Sequence, residues 1–126
     1  MSIKNNLHLE FSFEIAHENR EEQLEYVVKN IIEENANAFN ERMSRVSIQY
    51  DMRAEVLTDT FAVTEVAINF DDNVGTACVE YDWDAYYGCK DMCGGDRIED
   101  EWSFKIINNT IVFDLNLPED DRFDEI

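Results

Sequence analysis

Leu7, Leu9, Phe11, Phe13 and Ile15 alternate with His8, Glu10, Ser12 and Glu14, the period of two of a strand with one buried face and one wet face. The period then changes. Asn19, with Glu22 three residues on, makes a capping-box-like start, and Leu24, Val28, Ile31, Asn35, Phe39 and Met43 recur at steps of three or four. This spacing predicts a single long helix over residues 20–43. Val27 and Ile32 widen its apolar stripe, while Glu21, Glu25, Lys29, Glu33 and Asn37 fall on the other side, so the helix should lie on a sheet with one flank in water.

Alternation returns in Val46, Ile48, Tyr50, Met52, Ala54 and Val56, interleaved with Gln49, Asp51, Arg53 and Glu55. It predicts a second strand, although its Ala, Met, Arg and Glu suit a helix as well. Leu57-Thr58-Asp59-Thr60 reads as a turn. Residues 61–70 are rich in β-branched and aromatic side chains, Asp71-Asp72-Asn73-Val74-Gly75 is a turn cluster, and residues 76–83 supply the partner strand of a hairpin. A second hairpin joins residues 102–107 to 110–117 through Asn108-Asn109, asparagines being tolerant of the positive φ that tight turns require.

The expected fold is therefore α+β: an antiparallel sheet of five to six strands carrying one long helix on one face, in the order β-α-β-β-β-β-β. That order matches cystatin-like and related helix-on-sheet architectures, which host many unrelated functions. Residues 1–117 should form one domain. Pro118 opens an acidic tail, residues 118–126, that is too polar to pack well.

Composition changes the picture through charge. With 44% hydrophobic and 12% aromatic residues the chain can build a core. Yet 29 Asp and Glu stand against 10 Lys and Arg, for a net charge of −19, beyond the ~2 to 8 that suffices to keep a small domain soluble. Such a field repels nucleic acid and anionic membranes and draws in basic surfaces; adaptation of a whole proteome to a halophilic cytoplasm would produce the same bias. No basic segment precedes an apolar run at the start, and nowhere do about 18 apolar residues run together. Cys78, Cys89 and Cys93 are an odd set better suited to reduced thiols than to a disulfide framework. Both features point to the cytoplasm.

Candidate chemistry is sparse. Cys89 and Cys93 lie in a loop with Gly88, Gly94 and Gly95, but their spacing is looser than that of paired zinc ligands, and His8 and His17 are distant. The carboxylates of Asp71 and Asp72, or of Asp82, Asp84, Asp91 and Asp96, do not follow the calcium-loop pattern. No nucleophile elbow, phosphate-cradling glycine motif or zinc-protease helix is present, so the chain reads as a binding protein rather than an enzyme, with no cofactor or metal assigned. A thiol-dependent activity of Cys89 or Cys93 with a remote His is the enzymatic alternative.

The acids become informative once placed on the strands. Glu10, Glu14, Asp51, Glu55, Glu65, Glu80 and Asp82 oppose the apolar alternation, joined by Asp84 and by Glu99, Asp100 and Glu101. Together they should line one solvent face. Tyr81 and Trp83 are expected to pack inward, while Tyr86 and Tyr87, beside Asp84 and Asp91, are the candidate hot spot. These residues suggest a small acidic inhibitor of a basic protein with a nucleic-acid-binding groove, acting by charge mimicry as anti-restriction and anti-CRISPR proteins of the DNA-mimic kind do. An immunity protein neutralising a basic toxin nuclease would need the same surface, and a metal-binding protein using Cys89 and Cys93 is the alternative of another class.

Overall fold

The computed structural model describes residues 6–15, 20–86 and 93–118. Strand β1 (Asn6–Ser12) is followed by helix α1 (Arg20–Glu34), a 3-10 turn (Ala36–Phe39), helix α2 (Asn40–Ser47), and the meander β2 (Glu55–Asn69), β3 (Val74–Tyr86), β4 (Cys93–Ile107) and β5 (Thr110–Asn116). The five strands form one antiparallel sheet in the order β1-β5-β4-β3-β2. β1 and β2 are its two edges, so the chain between them must cross the full width of the sheet. At ~4.8 Å per neighbouring strand that span is about 19 Å, and the helical segment makes the crossing while covering one face.

Helix α1 begins with Glu21 and Glu22 in its first turn, where carboxylates complement the positive end of the helix dipole. It buries Leu24, Val28 and Ile32 along one stripe. The single long helix expected over residues 20–43 is instead broken at Asn35. Its backbone N–H and its side-chain Nδ2 both donate to the Ile31 carbonyl, at 3.0 and 2.8 Å, and the chain tightens into the 3-10 turn before restarting as α2. The break delivers Phe39 to the centre of the core. Its ring stacks on Trp102 with centroids 4.5 Å apart and planes 10° apart, and meets Phe113 edge-on at 5.1 Å. Phe61 stacks on Trp102 at 5.6 Å.

Arg42 of α2 pins this layer to the sheet. Its Nε and Nη2 donate to the two carboxylate oxygens of Asp100, each at 3.1 Å, while Nη1 donates to the Asn116 carbonyl. The Trp102 indole N–H donates to the same carboxylate at 2.9 Å. A planar guanidinium facing a carboxylate in this paired way gains geometric specificity along with energy.

The second strand expected over residues 46–56 is absent. Val46 and Ser47 finish α2, the backbone N–H groups of Tyr50 and Asp51 return to the Ser47 carbonyl, and the Asp51 side chain accepts the Arg53 N–H at 2.8 Å. A run of turns thus occupies the segment, and Tyr50 and Met52 are exposed. Residues 57–60, expected as a turn, are instead an irregularity inside β2, where Thr60 Oγ1 donates to the Leu57 carbonyl and accepts the Asp82 N–H. Cys93, Gly94 and Gly95, read as loop, pair with Tyr86, Ala85 and Asp84 within β4. Among the described residues the sheet therefore has five strands and its helical layer is two helices, not one.

The two asparagine-bearing turns form as expected, with Asn73 and Asn108 at φ 55° and 56°. Tyr81 and Trp83 point inward, also as expected. Among the described residues the Trp83 indole N–H has no hydrogen-bond partner, and burial pushes the Tyr81 hydroxyl pKa well above its ordinary value. Among the described residues no helix is long and apolar enough to cross a membrane. The tail beyond Pro118 lies outside the described residues.

Phe39 is fully buried between three aromatic partners, so Phe39→Ala should lower unfolding stability by ~3–5 kcal/mol, read from the shift in urea midpoint at unchanged slope.

Candidate functional site

Strand alternation, fixed by the inward Ala77, Val79, Tyr81 and Trp83 of β3, sends Cys78, Glu80, Asp82 and Asp84 to the face without helices. Cross-strand pairing extends that face. Cys78 lies opposite Glu101 on β4 and Glu65 on β2; Glu80 is opposite Glu99; Asp82 is opposite Arg97; and Asp84 is opposite Glu55. Seven of the expected acids, Glu55, Glu65, Glu80, Asp82, Asp84, Glu99 and Glu101, thus share one patch across β2, β3 and β4. Glu65, Cys78, Glu80, Glu99 and Glu101 border a shallow hollow of about 780 Å³ at the Cys78 end of this patch.

Other expected members fall elsewhere. Asp100 turns to the helix-covered side as the partner of Arg42 and Trp102. Asp51 sits in the turn between α2 and β2, whose Tyr50 stacks against Trp83 on that same side. Glu10 is on the open face but at the far edge, opposite Val112, and Glu14 lies beyond the end of β1. Tyr86 is the last residue of β3. Tyr87, Asp91 and Cys89 lie outside the described residues. No group of three or more His, Cys, Asp and Glu among the described residues is arranged to hold a metal ion.

Two features of the patch escape a reading by acidity alone. Arg97 sits inside it, donating from Nε to Asp82 at 2.9 Å and from Nη1 to Glu80 at 3.3 Å, which partly neutralises that end. Cys78 sits at the opposite end, between Glu65 and Glu101: partial burial, then the charges of Glu101 and Glu65, raise its thiol pKa. The first signal was available from spacing, since Arg97 is two residues from Glu99 and shares its face. The second needed the pairing register.

A separate cluster occupies the β1–β5 edge. His8 Nε2 is 2.7 Å from Glu10 and Nδ1 is 2.6 Å from Asp114, so both ring nitrogens face carboxylates and the protonated ring is favoured. Glu10 and then Asp114 raise the His8 pKa above its ordinary value. With a folded pKa above the unfolded one, the associated stabilisation is complete below the unfolded value and disappears as pH rises through the folded value. The His8 ring resonances in proton NMR should therefore titrate with a midpoint above ~6.5, and Glu10→Gln with Asp114→Asn should bring that midpoint back down.

No family model matches the chain, and neither a curated protein nor a solved structure is significantly similar to it.

Proposed function

We propose that this chain is a binding protein whose acidic open face occupies the Lys/Arg groove of a basic, nucleic-acid-handling protein, in the manner of a DNA-mimic inhibitor. The observation that carries the reading is the gathering of seven carboxylates on one side of β2, β3 and β4. Between Cys78 and Asp84 the strand advances about 20 Å. Seven carboxylates less the one guanidinium of Arg97 leave about one net charge per 3.3 Å of that length, close to the ~3.4 Å per phosphate of one nucleic-acid strand and half the charge density of a duplex. The face therefore presents charge at the density of a single strand, on a frame that needs no counterion condensation to hold its shape.

The arrangement also costs stability, because Glu80 and Glu99 are directly opposite and like charges in that position repel. A merely solubilising surface has no need of such opposition, and mixed signs would serve it better. Electrostatic complementarity acts chiefly on association rate and on the choice of partner, which suits an inhibitor that must outcompete nucleic acid.

The test starts with affinity capture of cell protein on the immobilised chain, eluted by steps of salt and identified by mass spectrometry. One basic nuclease or nucleic-acid-binding complex at stoichiometric yield is expected; diffuse recovery of many basic proteins would leave only a polyanion. With the captured partner, Glu65→Gln, Glu99→Gln and Glu101→Gln together should slow association by about tenfold at low ionic strength, the difference closing as salt rises. Arg97→Gln should do the opposite and speed it. Equal rates for all three proteins would remove the face from the mechanism.

A further inference from the structure

The open face is not acidic along its whole length. Toward the β2–β3 turn, Ala67 of β2, Val74 and Thr76 of β3, Ser103 of β4 and Val112 of β5 border a second hollow of about 540 Å³, with Lys105 and Asp114 as its charged members. Cross-strand partners join the two halves without interruption: Thr76 lies opposite Ser103 and Ala67, one outward position from Cys78 and Glu101. Val74 and, beyond Lys105, Ile107 are exposed apolar side chains on this end. The hollow is within the ~300–1,000 Å³ of sites that hold small ligands, and Thr76 and Ser103 of its lining adjoin Cys78 and Glu101 of the acidic patch.

Resting on the acidic-face reading above, we propose that this hollow receives one apolar side chain of the same basic partner, so that the face binds an extended segment with its Lys and Arg residues over the carboxylates and an apolar anchor about six residues away. Val74 and Glu80 are six residues apart on one strand, about 20 Å, which sets that spacing. The carboxylates fix the direction, because Lys105 and Asp114 at the hollow carry opposite formal charges whereas a basic side chain over Glu80, Glu99 and Glu101 meets only opposite charge. A second copy of this chain fits less well: at a net charge of −19 self-association works against long-range repulsion. The two halves have different kinetic roles, since charge steers approach and a buried apolar anchor sets residence time.

The probes are two synthetic peptides alike in a Lys/Arg run and a glycine-rich spacer, one ending about six residues on in phenylalanine and the other in glycine, titrated against the full chain by fluorescence anisotropy and amide NMR. The phenylalanine peptide is expected to bind about tenfold tighter, with shifts at Thr76, Ser103 and Val112 that the glycine peptide does not cause. Val112→Thr, which keeps the volume, and Ala67→Gln, which fills exposed space, should each erase that advantage and leave the glycine peptide's affinity unchanged. If both peptides bind equally, the hollow is no anchor site and the acidic-face reading stands. Failure of both peptides to bind would overturn both proposals together. Sedimentation showing a dimer that Val112→Thr dissociates would assign the hollow to a second copy and overturn this one.

Discussion

Trp102 lies between Phe39 and Phe61, nearly parallel to both, with its indole N–H held by the carboxylate that Arg42 also grips. This arrangement fixes the fate of every other residue on β4. With Trp102 and Asp100 turned inward, Glu99 and Glu101 have no alternative to the open face, because side chains alternate along a strand. The pairing of Trp102 with Ala77 then sets β3, bringing Cys78 opposite Glu101 and Glu80 opposite Glu99. A slip of one residue would place two carboxylates against Phe39 and two aromatic rings in water, so the core enforces the register and through it the surface.

One-sided burial follows from the order of the strands. A meander of four strands with β1 added at the β5 edge leaves both edges on the first and second strands of the chain, and among the described residues the segment that covers a face is the one that must travel between those edges. It covers one side. The opposite side keeps its backbone paired within the sheet but its side chains wet, which an antiparallel sheet tolerates readily. The molecule could have filled that surface with mixed charges. It concentrates carboxylates on β2, β3 and β4 and relieves them at one point, where Arg97 reaches two of them at once.

Much of the fold was legible because alternation and turn chemistry agreed on it. β3 and β5 follow their inward aromatic and branched residues, and Asn73 and Asn108 take the positive φ that their positions require. The helical region was harder. Leu24, Phe39 and Met43 are in phase with one continuous helix and are all buried, yet the chain breaks between them. Periodicity reports which residues face the core, and a tight 3-10 turn between two helices keeps that facing while changing the axis. Residues 46–56 mislead for a different reason: Val46 and Ile48 are packed by helix α2, whereas Tyr50 and Met52 are in solvent, so an apparent single apolar face is two unrelated environments in succession.

The acidic face was legible where a carboxylate alternated with a residue too large to be anywhere but the core. Glu80 and Asp82 flank Tyr81, and Glu101 precedes Trp102, so their outward direction follows from the neighbour. Asp100 obeys the same rule in the opposite sense: Ile98 and Trp102, two residues away on either side, are core residues, so the middle acid of Glu99-Asp100-Glu101 shares their inward face although the run of three reads as uniformly outward. One of the three must point inward on any strand. The middle one does, and burying it is affordable because Arg42 arrives from a helix 58 positions away in sequence to pair with it. A partner that distant leaves no local trace, and neither does the joining of Glu65, Cys78 and Glu101 from three strands; both depend on register, which the core sets and the surface pattern does not record.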